Sequence, residues 1–547
     1  MKLRIIFLLI IILSILLRGW RVDRFPATLY GDEQAFAWNA YNILKLGQDE
    51  YGISYPLQFR SFDDYKAPIP VYLLVPFINI FGLTPFAIRL PIVLASTAMV
   101  IATYFITGKF LNSKISLLAS FFFAISPWSI HLSRGFFEAT LSLLFFVLGI
   151  YFFLQASRDI KRMLVSMLFF AFSLYSYFTP RILLLFFLPT LFIYEVIFSA
   201  QIHKITSEER KKLFFTYGIS FVFILIICLP LLQSTFINGG LSRFQKLSDS
   251  VNRIVTETVI TERNSSLLPQ PWKNILHNKF TVQFRLFTNN YFEHFSINFW
   301  YLHGDNSLRY FLGNMGMFHF LELPFFIVGL YCLWKEKRKA ALFFLTWLIL
   351  APIPASFVGR PFAVRSLPML PVPFVFVGYG LYKILIAIKR SKCEYLFHFI
   401  VIIGVIYSLG LLLTRYYFEY PVYAATWWGW ENKAAIDFAK QRESNYDNIF
   451  ISNFYSGATL AYAVYNQYDP LEYRYAVSHP VTLVDGRSLI KLGKYYFGSL
   501  DIDSKRLTAG IIPPRSLYIA RPEEADSQET INAPDDGRLI FKIYKTK

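Results

Sequence analysis

RVDRFPATLYGDEQAFAWNAYNILKLGQDEYGISYPLQFRSFDDYKAPIP, residues Arg21–Pro70, follows the first apolar segment of the chain and sets the reading of the rest. It contains an acidic pair, Asp32–Glu33, just after Tyr30–Gly31, and a lysine, Lys66, in Tyr65-Lys66-Ala67-Pro68. Strongly apolar segments flank both, so both are expected at a membrane surface. A carboxylate and an ammonium held there are costly to keep and point to a functional site.

The surrounding composition supports a membrane setting. Of 547 residues, 55% are hydrophobic, 19% aromatic and only 16% charged, with a mean hydropathy of +0.42. Those values belong to polytopic membrane proteins rather than soluble domains. The net charge of +18 does not indicate nucleic acid, because the basic residues fall in short clusters between apolar runs instead of on one soluble face. Cys228, Cys332 and Cys393 lie in or beside apolar segments without a C-x-x-C partner, so neither a disulfide framework nor a zinc site is indicated. Lys2 and Arg4 precede an apolar run from Ile5 to Leu17, but no small-residue cleavage site follows, and the segment reads as an uncleaved first span.

Runs long enough to cross about 30 Å of hydrocarbon occur near 3–20, 86–107, 115–132, 138–156, 163–179, 182–200, 214–233, 317–334, 340–357, 367–388 and 395–415, giving eleven expected spans. The segments around Ser126–Glu138 are expected to meet in a partly buried hairpin, and Ile69–Gly82 to lie along the interface. With the N-terminus inside, every second loop is short and basic: Lys109 and Lys114; Arg158, Lys161 and Arg162; Lys204 and Arg210–Lys212; Lys335–Lys339; Lys389–Lys392. This is the pattern of positively charged cytoplasmic loops. Loops 21–85 and 232–316 and everything past residue 415 then face outward. Residues 416–547 have soluble composition, with helical patterns at Lys433–Arg442 and Ser456–Tyr465 and strand-like runs at Asn448–Ser452, Ser516–Ala520 and Leu539–Tyr544. The expected architecture is a polytopic α-helical membrane domain, residues 1–415, with an extracytoplasmic α/β domain, residues 416–547.

The chemistry gathers on the outward side. Asp32–Glu33 and Lys66 share it with Arg134, Glu138, Arg181, Arg360 and Arg365. A carboxylate beside several cations suits displacement of a lipid-linked phosphate: the carboxylate takes a proton from an acceptor hydroxyl, and the cations hold the departing phosphate. Each residue also has a structural reading. An acidic pair can cap a helix, Arg89 can anchor at the interface, and Arg134 can pair with Glu138 at i, i+4. His131, His294 and His319 lack metal-ligand spacing. Asp501-Ile502-Asp503 fits the D-x-D pattern of nucleotide-sugar transferases, but a three-residue match is weak. No P-loop, G-x-G-x-x-G, H-E-x-x-H or G-x-S-x-G is present.

Gly31-Asp32-Glu33, Tyr65-Lys66-Ala67-Pro68-Ile69, Phe81-Gly82 and Arg89-Leu90-Pro91 together resemble the opening of membrane glycosyltransferases of the GT-C fold, similar to protein O-mannosyltransferases and aminoarabinose transferases. The resemblance continues through Ser133-Arg134-Gly135-Phe136-Phe137-Glu138, Leu302-His303-Gly304-Asp305-Asn306 and Arg365-Ser366-Leu367-Pro368. It implies a sugar donor on a polyprenyl or dolichyl phosphate, transfer outside the cytoplasmic membrane and inversion at the anomeric carbon. It further implies Asp32 as base with Glu33 supporting it, and Lys66, Arg134, Arg309 and Arg365 as phosphate ligands. Tyr65, Glu138 and Asp305 are the implied substrate contacts. Ala67 stands where the family motif has proline. Family members differ over divalent metal, and no metal ligand set is evident here. The acceptor, whether glycan, lipid or protein, is left open. The rival function is a secondary transporter or lipid flippase, which calls for paired repeats and charges at mid-membrane; neither is visible.

Overall fold

The structure, a computed structural model, describes residues 1–62, 64–156, 159–198, 207–237, 242–483, 486–500 and 512–546. Asp501-Ile502-Asp503, Arg158 and Lys204 lie outside the described residues.

The membrane part is helical apart from one short ribbon. In order it runs α1 (Lys2–Gly19), α2 (Gly31–Leu46), a ribbon of β1 (Phe59–Ser61) and β2 (Asp64–Lys66), then α3 (Pro68–Phe81), α4 (Pro85–Gly108), α5 (Ser113–Ile125), α6 (Pro127–His131), α7 (Glu138–Ala156), α8 (Ile160–Leu174), α9 (Thr179–Phe198) and α10 (Ser207–Ile237). A polar insertion follows, α11 (Ser242–Ser265), α12 (Gln270–Leu276) and α13 (Lys279–Glu293), then α14 (Glu322–Glu336), α15 (Arg338–Leu350), α16 (Ile353–Ser356), α17 (Val372–Ala387) and α18 (Glu394–Thr414).

Seven segments among the described residues are long and apolar enough to cross a membrane: Pro85–Gly108, Glu138–Ala156, Thr179–Ile197, Phe214–Ser234, Arg338–Ser356, Leu367–Ala387 and Glu394–Tyr423. The expected count of eleven is therefore not reproduced by length and composition. The other four expected spans are helices too, but α5 has 13 residues and α8 and α14 have 15 each. At about 1.5 Å per residue these fall short of about 30 Å. The fourth, α1, carries Lys2, Arg4 and Arg18 within 18 residues. Glycines set the tightest packing. A Cβ on Gly329 of α14 would stand 1.8 Å from the Phe376 carbonyl oxygen of α17, and one on Gly380 1.9 Å from that of Phe325, so backbones approach as small residues allow in membranes. By contrast, Tyr395, Phe399 and Tyr407 of α18 are exposed, as a lipid-facing helix requires.

The C-terminal part adds α19 (Tyr420–Tyr423), α20 (Trp430–Gln441), β3 (Asn448–Ile451), α21 (Ala458–Tyr465), α22 (Pro470–Ser478) and strands β4 (Val481–Thr482), β5 (Ser488–Leu492), β6 (Tyr495–Phe497), β7 (Ser516–Ala520), β8 (Thr530–Asn532) and β9 (Leu539–Lys545). The sheet order is β4-β5-β6-β3-β7-β9-β8, with β6, β3 and β7 parallel and the flanks antiparallel. The helices and strands read from residues 433–465, 516–520 and 539–544 all form. One apolar core joins this sheet to the segment 21–85: Phe36 and Trp38 of α2 and Val71 and Leu74 of α3 share it with Ile449, Ile451 and Leu517. The core thus crosses residue 415, where composition changes.

Three fully buried arginines fix α1 and the loop that follows it. Arg18 donates to the Ser96 and Ser129 hydroxyls, each at 2.8 Å, and to the Ala124 carbonyl at 2.8 Å, tying α1 to α4, α5 and α6. Arg89 of α4 donates to the carbonyls of Val22 (2.9 Å), Pro26 (2.9 Å) and Thr28 (2.6 Å) and holds both Glu33 oxygens, at 2.9 and 3.1 Å. Glu33 in turn accepts from the backbone N–H of Phe136 at 2.8 Å and of Tyr30 at 3.3 Å. Arg134 donates to the carbonyls of Leu17, Arg18, Trp20 and Phe25 at 2.7–3.2 Å, with the rings of Tyr416 and Tyr417 beneath it. Arg89→Met leaves Glu33 buried without its cation and is expected to destabilise the fold by about 3–5 kcal/mol. Thermal unfolding in detergent reads this, and an unchanged midpoint would show that the pair does not hold the loop.

Candidate active site

Asp32 lies in the first turn of α2, where the unpaired backbone N–H groups and the helix dipole favour a negative charge. Lys66 ends β2, and its ammonium forms an ion pair with the Asp32 carboxylate. Lys66 is 7% exposed and Asp32 35%, so the cation is enclosed and the carboxylate stays open on one side. The ring of Phe36 faces the ammonium at 5.6 Å. Ala67 takes φ −68° and ψ 149°, the extended conformation that precedes a proline, and Pro68 starts α3. The turn after Lys66 thus forms with alanine in the family's proline position.

Adjacent residues on a helix point about 100° apart, and this separates the acidic pair. Glu33 is fully buried with Arg89, while Asp32 faces the open side. Glu33, expected beside Asp32 as a catalytic group, is turned inward with both oxygens engaged. Arg134, expected at the donor phosphate, is spent on backbone carbonyls because it sits in the turn before α7. It is not paired with Glu138 along a helix face. Arg89 is fully buried rather than an interfacial anchor. Tyr65 pairs with Arg60 across the ribbon and so points to the face opposite Lys66, which pairs with Phe59.

Other expected residues do converge. Burial raises the Tyr30 hydroxyl well above its ordinary value, and the charges of Asp32, Glu138 and Glu33 raise it further. Burial likewise raises Tyr310, with Asp32 and Glu138 adding to the shift and Arg309 opposing it. Asp32, Glu138, Tyr30, Tyr310 and Arg309 therefore share one electrostatic neighbourhood. Arg309 is anchored there: its guanidinium lies 5.2 Å from the Tyr30 ring, its Nε donates to the Trp427 carbonyl at 3.0 Å, and its own carbonyl accepts from His131 Nε2 at 3.0 Å.

Beyond Tyr310, whose ring meets Phe362 at 4.6 Å, a cavity of about 480 Å³ opens. Arg360, Arg365, Asp305, His303 and Trp427 line it. Asp305 is 4% exposed and accepts from the backbone N–H of Ser307 at 2.8 Å and of Ala363 at 2.6 Å, so it joins the His303–Asn306 loop to the Arg360–Arg365 loop. Burial raises its carboxyl, against the pull of those two bonds and of Arg365. Sequence reasoning missed Tyr30 and Tyr310 as walls of the site, since aromatic residues in an aromatic-rich chain carry no distinguishing signal.

A second cavity, of about 570 Å³, is lined by Glu50, Tyr51, Ser61, Phe62, Tyr473, Arg474 and neighbouring residues. Glu50 is pushed up to about 7 by burial and by Asp49, despite hydrogen bonds with Asn39 and Ser61 and the charge of Arg60. A carboxyl whose value is raised on folding contributes stability below about 4.5, and that contribution is lost as pH rises to about 7. Glu50→Gln is expected to flatten this part of the unfolding-versus-pH profile; a slope identical to wild type would refute the burial of this carboxyl.

Among the described residues no group of three or more His, Cys, Asp or Glu side chains is clustered to hold a metal ion. The family model described as dolichyl-phosphate-mannose-protein mannosyltransferase matches residues 65–232. No curated protein sequence matches the chain. Among solved structures, ArnT from Cupriavidus metallidurans bound to undecaprenyl phosphate is similar at 10% identity and a TM-score of 0.53, covering 98% of this chain and 97% of that one. Its apo state gives 12% identity and a TM-score of 0.51 over the same shares. The archaeal oligosaccharyltransferase AglB from Archaeoglobus fulgidus gives 15% identity and a TM-score of 0.49 over 85% of this chain, which spans 64% of AglB. The chain is a multi-pass membrane protein with the GT-C fold that it shares with ArnT.

Proposed function

We propose that the chain transfers a sugar from a polyprenyl or dolichyl phosphate to an acceptor hydroxyl, with inversion, on the extracytoplasmic side of the cytoplasmic membrane. The observation that carries this reading is the Asp32–Lys66 ion pair, with the carboxylate open and a neighbouring cavity lined by arginines. The match of the family model over residues 65–232 and the fold shared with a protein that binds undecaprenyl phosphate support it.

In this mechanism the donor phosphate enters beside Lys66, Arg309 and Arg365. Its oxygens take up the lysine ammonium and release Asp32 to act as base. The acceptor oxygen attacks the anomeric carbon from the face opposite the phosphate, and its proton passes to Asp32. The bond from the anomeric carbon to the phosphate oxygen breaks, and the lipid phosphate leaves with its added charge held by the three cations. General-base assistance contributes about 10²–10⁴-fold, and each donor to the departing oxygen about 10²–10³-fold. Glu138, in the same field as Asp32, is assigned to the sugar hydroxyls. Glu33 and Arg134 act through the backbone they hold. The notable charges gather at one end of the bundle, which favours this reading over a transporter or flippase.

The test is release of free lipid phosphate from a panel of undecaprenyl- and dolichyl-phosphate monosaccharides by the purified protein. Asp32→Asn is expected to lower turnover at least about 10²-fold while keeping donor affinity; full activity in that variant would end the assignment. Lys66→Ala and Arg365→Ala are expected to weaken donor binding as well as turnover, with Arg134→Lys instead lowering the unfolding midpoint.

A further inference from the structure

The cavity beside Glu50 is lined by none of the residues assigned above to the donor phosphate. It lies between the outward loop and helices α21 and α22, and three aromatic side chains, Tyr51, Phe62 and Tyr473, contribute to its walls. Tyr51 is backed by the Arg60 guanidinium at 5.2 Å and Tyr473 by the Trp38 ring at 4.9 Å, so both are supported from behind. Polar groups stand between the rings. Glu50 is tied to Asn39, and Arg474 donates to Gln48 Oε1 at 2.8 Å and to the Asp49 carbonyl at 2.7 Å; Ser61 and Ser478 add hydroxyls. Its volume, about 570 Å³, is within the range of small-molecule sites, about 300–1,000 Å³.

Phe62 connects this cavity to the start of α2, which carries Asp32. It occupies the turn of the β1–β2 ribbon at φ +50°, a strained conformation for a bulky residue, and it is 47% exposed. Strain of this kind persists where surrounding structure imposes it and gathers at functional sites. A methyl group on Gly31, the residue before Asp32, would stand 3.6 Å from the Phe62 ring, and one on Gly457 at the start of α21 3.9 Å from it. The Phe62 ring thus lies between the cavity and the start of α2, one residue before the base, and the same ribbon carries Lys66 at its other end.

We infer that this cavity is the acceptor site and that the acceptor is a glycan, with Phe62 forming the wall across which its reacting hydroxyl reaches Asp32. Sugar rings present an apolar face of C–H groups and a belt of hydroxyls. Backed aromatic faces match the first; a carboxylate, a guanidinium and two hydroxyls match the second. Asp32 then lies between a basic cavity for the lipid phosphate and a mixed aromatic and polar one for the acceptor. This inference rests on the glycosyl-transfer reading, and binding separates the two.

The experiment uses the full-length protein in detergent, with maltotriose, mannotriose and triacetylchitotriose as probes and saturation-transfer NMR as the readout. At least one trisaccharide is expected to bind. Val477→Trp, a change at an exposed position on the cavity rim, is expected to weaken binding roughly tenfold while leaving undecaprenyl phosphate affinity and the unfolding midpoint unchanged. Asp32→Asn is expected to bind the glycan as wild type does. No binding of any trisaccharide, or equal binding by Val477→Trp, overturns the inference. Binding of a Ser/Thr-containing peptide in their place overturns the glycan class. Glycan binding without transfer from any lipid-phosphate sugar supports the cavity assignment and removes the transferase reading.

Discussion

The buried ion pair between Glu33 and Arg89 is the constraint from which the active end of this molecule is built. An isolated charge at that depth is prohibitive, so each side chain can be there only with the other in place. Once paired, Arg89 has donors left for the carbonyls of residues 22, 26 and 28, and Glu33 has acceptor capacity for the N–H groups of Tyr30 and Phe136. A loop without regular structure thereby gains partners for its backbone groups, which a buried segment must have. The start of α2 follows from this arrangement, and with it the direction in which Asp32 points.

The β1–β2 ribbon completes the geometry from the opposite side. Its two strands are only three residues each, too short to be stable alone. They are held because Phe59 is fully buried and Lys66 is enclosed beside Phe36 and Asp32. A short element carrying Lys66 can adjust to a bound phosphate, whereas α14 and α17, packed through glycine contacts, cannot move without clashes. Rigidity and adaptability are thus divided between the bundle and the ribbon.

Much of this was legible in the chain itself. Asp32 and Lys66 were readable because each is charged, stands between apolar segments and lies in a short motif. The α/β character of the last 130 or so residues was readable from alternating runs such as Ser516–Ala520. The role of Glu33 was not, because neighbours in sequence diverge once the helix forms. That Arg134 and Asp305 also hold backbone groups of distant segments, such as Phe25 and Ala363, is something no local pattern reveals. The count of eleven spans is not reproduced by length and composition for a related reason: α5, α8 and α14 are apolar but short, and hydropathy does not report where Ser126–Pro127 interrupts a helix.

The core that α2 and α3 share with the C-terminal sheet makes this protein poorly suited to modular exchange. Swapping in another sheet-bearing end would leave Phe36, Trp38, Val71 and Leu74 facing an unmatched surface, and the helix that presents Asp32 would lose part of its support. The C-terminal part and the loop that carries Asp32 share one core, so diversification of one in evolution must be accommodated by the other.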